Sequence, residues 1–210
     1  TRWRAPLLAP SVELTAATRM SAPHPIPLKE RKLANGLRLI TVLDRTTPTA
    51  TVNLWYHVGS KDERVGRTGF AHLFEHLMFQ GSANVSKAEH LSLIESVGGS
   101  ANATTWLDRT NYFASFTYNE DNLRWYLGWQ ADSMTHSYIA RRDLDTEMTV
   151  VRNEMEMGEN SPQSVLIEKT LATMYQWHNY GKSTIGARSD VEQMPIERLQ
   201  AFYDRHYHPD

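Results

Sequence analysis

Residues 70–81 read FAHLFEHLMFQG. Phe70, Leu73, Phe74, Leu77 and Phe79 make this stretch apolar enough to demand burial, yet His72, Glu75 and His76 stand inside it. The spacing predicts a helix from about Phe70 to Phe79. Residues four apart on a helix share a face one turn apart. His72 and His76 are therefore neighbours, with Glu75 beside His76 and about one turn from His72. Burying two imidazoles and a carboxylate without partners is costly. Whatever the chain folds into must bring this helix to the edge of a core and supply partners for its polar face.

The chain has no cysteine, so neither a disulfide framework nor a thiolate metal site is open to it. Any metal must be held by His, Asp or Glu. Two neutral imidazoles at this spacing are half of a zinc site, and zinc needs at least one further protein ligand. An isolated pair of this kind is more often a surface feature or a satisfied core pair. The added Glu75 and the apolar flanks favour the metal. The candidates for the third ligand lie in EMTVVRNEMEMGEN, residues 147–160. Glu147 and Glu154 are seven apart, two helical turns, and share a face beside an apolar stripe of Leu144, Met148, Val151 and Met155. Geometry alone does not choose among Glu147, Glu154 and Glu156.

The remaining pattern predicts an α+β domain, mainly antiparallel sheet with helices packed on one face. Asn35-Gly36 marks a hairpin turn between Lys29–Leu33 and Leu37–Leu43. Ala50–Val58 alternates, with Val52, Leu54, Tyr56 and Val58 on one face. Residues 59–69, GSKDERVGRTG, read as a Gly-rich charged loop. Ser86 and Glu89 form a capping box for a helix through Val97, ended by Gly98-Gly99. Residues 100–107 and 110–117 read as a strand pair. Helices follow over about 121–136 and 143–157, from Pro162 to about Trp177, and from Pro195 into Tyr207. Residues 1–28, Pro- and Ala-rich, read as an extended arm before a domain over 29–210. The arm hints at export to a periplasm, and the compartment is left open. With a net charge of −2, the chain offers no basic surface for nucleic acid. It has no apolar run near the roughly 18 residues of a membrane span.

The five residues His72–His76 spell H-x-x-E-H, the inverzincin motif, and the chain resembles the M16 metallopeptidases: pitrilysin, insulin-degrading enzyme and the mitochondrial processing peptidases. WYHVGSKDE is similar to the family's strand-to-loop entry. GGSANATTWLDRTNYFASF is similar to its substrate-edge strand, and YGKSTIG and FYDRHYHP to later stretches of the same domain. The resemblance runs from about Leu33 to Pro209. It implies a zinc endopeptidase in which His72, His76 and Glu154 are the metal ligands and Glu75 is the general base. It also implies that Glu147, seven residues before Glu154, orients a histidine ligand, and that Asn102 and Ala103 lie beside a peptide added as a strand. Family members pair this half with a second, similarly folded half, on the same chain or a partner, closing around the peptide. The 210-residue chain is thus expected to be an incomplete domain that binds zinc but cleaves peptides poorly alone. Two alternatives compete: a catalytically silent or partner-dependent subunit that binds peptide or a partner chain, and an unrelated metal-binding α+β domain.

Overall fold

The computed structural model describes residues 26–209. The arm expected over 1–28 lies outside them except at its end, where β1 (Leu28–Lys32) already begins. β1 pairs antiparallel with β2 (Arg38–Val42), and the turn between them uses Gly36 at φ 96, as the Asn-Gly signal requires. This hairpin is a sheet of its own, and every residue of both strands is exposed. The second sheet holds β3 (Thr49–Tyr56), β4 (Ser100–Thr105) and β5 (Thr110–Thr117), antiparallel in the order β3-β5-β4. Its seven helices are α1 (Phe70–Leu77), α2 (Lys87–Ser96), α3 (Glu120–His136), α4 (Arg141–Glu159), α5 (Pro162–Met174), α6 (Arg188–Glu192) and α7 (Ile196–His206) among the described residues. The fold is the α+β class expected.

Register decides which side chains meet the helices. Tyr56 pairs with Thr110, and Thr110 with Thr105; one row on, Leu54 pairs with Tyr112, and Tyr112 with Ala103. Alternation sends all of these to one face. That face serves two cores. One lies around α1 and gathers Phe70, Leu73, Phe74 and Leu77 with Tyr56, Tyr112, Leu144, Val151, Leu199, Tyr203 and Tyr207. The other, between the sheet, α2 and α3, gathers Ile94, Ala114, Phe116, Tyr126 and Trp129.

The capping box forms as read: Ser86 Oγ accepts from the Glu89 N–H, and Glu89 accepts from the Ser86 N–H at 2.9 Å. The main departures from the sequence reading lie late in the chain. The helix begun at Pro162 stops at Met174 rather than Trp177. The chain turns at Tyr175, and the 3₁₀ turn Asn179–Gly181 folds back so closely that a Cβ on Gly181 would strike the Tyr175 carbonyl. The short α6 carries too few residues for a periodic signal and was not foreseen.

Candidate metal and catalytic site

Helix α1 is held from three sides. Phe74 stacks on Tyr203 with centroids 5.1 Å apart and tilts against Tyr207 at 4.4 Å, which docks α7. Leu144, Val151 and Met155 of α4 close the second side. The third side is the 59–69 loop, which is far more than a solvated connection. The N-cap residue of α1, Gly69, has φ 89 and offers no side chain. Its place is taken by Glu63, which is only 6% exposed and accepts from the N–H groups of Gly69 and Ala71, both at 2.9 Å. A carboxylate there satisfies unpaired donors at the positive end of the helix. Burial nevertheless dominates and pushes the Glu63 carboxyl up to about 7. The loop is itself tied to distant chain. Asn179 Nδ2 donates to the carbonyls of Lys61 and Glu63, both at 2.6 Å, and Asp190 accepts from the Thr68 N–H and hydroxyl.

With its back fixed, α1 turns His72 and His76 toward α4. Both Nε2 atoms stand 3.4 Å from one oxygen, Oε2 of Glu154, and the donor atoms of the three residues all lie within 4.8 Å of one another. A tetrahedral zinc with bonds of about 2.0–2.1 Å has ligand-to-ligand edges of about 3.3 Å; both histidine-to-Glu154 distances match that edge, and three ligands would leave a fourth position free. The protonation pattern fits as well. His76 Nδ1 faces Glu147 Oε2 at 3.2 Å. A proton on Nδ1 leaves the lone pair of Nε2 directed at Glu154. Burial, aided by His76, pushes the His72 imidazole down to about 4, keeping it neutral, and its Nδ1 is buried with no hydrogen-bond partner among the described residues. Two imidazole nitrogens and a carboxylate oxygen converging in this way want a cation among them.

Glu147 is 8% exposed and its other oxygen accepts from Gln80 Nε2 at 2.7 Å. Gln80 in turn accepts from Lys87 Nζ at 2.5 Å. Gln80 was missed in the sequence, although it stands four residues after His76. Glu156, the third carboxylate left open by geometry, is exposed and lies 3.9 Å from Arg188, away from the cluster.

Glu75 stands on the same helix, half-buried. Burial raises its pKa, opposed by a hydrogen bond from Thr105 and by the charges of His76 and Arg109. A carboxyl in this setting can both take and return a proton. Asn102 and Ala103 lie on β4, whose other side pairs with no strand among the described residues. The Ala103 side chain is buried in the α1 core, so only its backbone is available to a ligand. Its N–H is taken by Asn102 Oδ1 at 2.8 Å, a bond that an incoming strand would have to displace.

Comparison with known proteins gives concordant matches. The family described as Insulinase (Peptidase family M16) matches residues 38–188. An uncharacterized zinc protease of Streptomyces coelicolor is 31% identical over 182 residues, 87% of this chain and 39% of that protein. The crystal structure of a protease from Helicobacter pylori superposes with a TM-score of 0.81 at 30% identity, covering 87% of this chain and 44% of that one. The first half of the periplasmic protease PqqL from Escherichia coli has the same fold, with a TM-score of 0.79 at 24% identity over 87% of this chain and 40% of that one. The chain spans about two fifths of the length of the curated relatives it matches. Among the described residues no helix is long and apolar enough to cross a membrane.

Proposed function

The chain belongs to the insulinase family of peptidases, family M16, and from that premise we propose that it is the metal-bearing part of a zinc-dependent endopeptidase. His72, His76 and Glu154 hold the ion, Glu75 is the general base, and the peptide lies along the β4 edge at Asn102 and Ala103. The single observation that carries this reading is the convergence of both Nε2 atoms on Glu154 Oε2, each at 3.4 Å, with Glu75 one residue from His76 on the same helix.

Zinc bound there supplies Lewis-acid charge stabilisation and acidifies water at neutral pH. The protein's own groups do the rest. Glu147 accepts a hydrogen bond from His76 Nδ1–H, fixing the ring and the basicity of its free nitrogen. Glu75 takes a proton from the attacking water on a carboxylate oxygen and returns it to the amine nitrogen of the departing peptide. The buried side chains of Leu73, Phe74 and Leu77 keep water from the back of the helix. Small residues on β4 let a peptide backbone approach and pair as an added strand. Because the chain is about two fifths of its relatives, the remaining substrate contacts are assigned to a second half, on the same chain or a partner.

The test uses the full-length form. Glu75→Gln should keep about one zinc per chain by elemental mass spectrometry while turnover of an unfolded polypeptide drops by roughly 10²–10⁴. Glu154→Gln should lose the zinc. Unchanged turnover in Glu75→Gln eliminates the reading. The 210-residue chain alone should hold zinc and turn over poorly.

A further inference from the structure

Behind Glu147 the hydrogen bonds continue outward to the surface. Gln80 closes the 3₁₀ turn Met78–Gln80 that follows α1, and its amide lies between two charged groups. Its Nε2 donates to Glu147 Oε1 at 2.7 Å, and its Oε1 accepts from Lys87 Nζ at 2.5 Å. Lys87 is the first residue of α2, and its side chain is half-exposed. It comes back onto Gln80 because the loop between them closes on itself. Gly81 bridges Ser86, and the Ser82 N–H donates to the Val85 carbonyl at 2.9 Å. The run from surface to site is therefore Lys87, Gln80, Glu147, His76, and it joins α2, the end of α1 and α4.

Donor and acceptor roles fix every member. An ammonium only donates and a carboxylate only accepts. The Gln80 amide between them has one allowed orientation, oxygen toward Lys87 and nitrogen toward Glu147. Its N–H occupies Glu147 Oε1 and leaves Oε2 for His76 Nδ1, 3.2 Å away. Both branches thus end on Glu147 as acceptor, with no donor asked to serve twice. Lys87 Nζ also stands 3.7 Å from Glu147 Oε1, so ammonium and carboxylate attract directly as well. Packing alone does not call for glutamine here. Gln80 is 8% exposed, a buried amide is costly to desolvate, and leucine would fill similar space.

We infer that Gln80, itself fixed by Lys87, is a positioning residue for the metal centre: it locks the Glu147 carboxylate in the orientation that receives His76 Nδ1–H and so aims His76 Nε2. The inference rests on His76 being a zinc ligand, as proposed above. It makes the hold on the ion depend on a half-exposed lysine of another helix, which lies outside the ligand set.

The test is the zinc affinity of the full-length protein, measured by competition with a chelator. Glu147→Ala, which removes the partner of His76 itself, should weaken zinc binding about 10–100-fold. One step further out, Gln80→Leu should weaken it by about three- to tenfold, and Lys87→Met by about two- to threefold. Lys87→Arg, which keeps a cationic donor, should recover most of the Lys87→Met loss. In a Glu147→Ala background neither Gln80→Leu nor Lys87→Met should weaken zinc further, because the path to His76 is already cut. Lys87→Met, at a half-exposed position, keeps the test open should Gln80→Leu fail to fold. Parental affinity in Gln80→Leu and Lys87→Met, beside a weakened Glu147→Ala, overturns the inference and leaves the zinc site standing. Losses that persist undiminished in the Glu147→Ala background assign both residues to the fold alone and overturn it too. No zinc in the parent means the ligand assignment has failed, and the inference with it.

Discussion

Helices α1 and α5 are both rich in apolar side chains, yet their surroundings are opposite. Phe70, Ala71, Leu73, Phe74 and Leu77 of α1 are buried. No residue of α5 is, and Leu166 and Met174 stand 67% and 65% exposed. Apolar content therefore does not decide how firmly a helix is held. Cover does: α1 has sheet, α4, α7 and a capping loop around it, whereas α5 leans on α4 and one 3₁₀ turn. That cover lets three polar side chains on α1 be aimed at about hydrogen-bond precision, because a residue can direct chemistry only if its backbone cannot drift.

The contrast can be broken most forcefully at Phe74. Phe74→Ala should cost about 3–5 kcal/mol in urea unfolding, the range for a large buried aromatic. A loss under about 1 kcal/mol would mean that α1 is no better fixed than α5.

The capping loop gives the next effect, and it has a sign. Burial raises Glu63 from 4.5 to about 7. The fold therefore favours the protonated form. The stability linked to Glu63 is fully present below pH 4.5 and is lost as pH rises through about 7, a change on the order of 3 kcal/mol. His72, pushed down to about 4, contributes stability that is lost as pH falls below its unfolded value, tilting the parent curve the other way. The difference between parent and Glu63→Gln, from melts between pH 4 and 8, isolates Glu63. It should shrink steadily in the parent's disfavour across that window, and a pH-independent difference would refute the assignment. The smallest effect belongs to α5, where Leu166→Ala should change stability by no more than about 0.5 kcal/mol. A loss approaching that of Phe74→Ala would show that α5 is covered in the full-length form.

What was legible in the sequence was local. The Asn35-Gly36 turn, the Ser86–Glu89 box and the seven-residue spacing of Glu147 and Glu154 each depend on neighbours within two helical turns, and each appears where the pattern put it. The His72–His76 pair and Glu75 were readable for the same reason. The support of the site was not. Glu63 looks like one more charge in a loop, and only a helix that starts at a bare glycine hints that its cap must come from elsewhere. Tyr112 and Tyr207 meet behind α1 through cross-strand register and across 95 positions of chain, neither of which leaves a local signature. The end of α5 was misplaced because it is set by the fold-back onto residues 61–63, not by a stop signal in its own sequence.

The ties between the 59–69 loop and the chain around Asn179 and Asp190 span 116 to 122 residues. At Gly69 and Gly186 the two backbones touch, with no room for a Cβ on either side. During synthesis at about 5–20 residues per second, roughly 6 to 24 s separate the emergence of His72 from that of Asp190. For that interval the helix that carries His72, Glu75 and His76 is on a nascent chain whose cradle does not yet exist. The fixing of α1 is thus a late event, set by chain that emerges more than a hundred residues after it and not by the helix's own sequence.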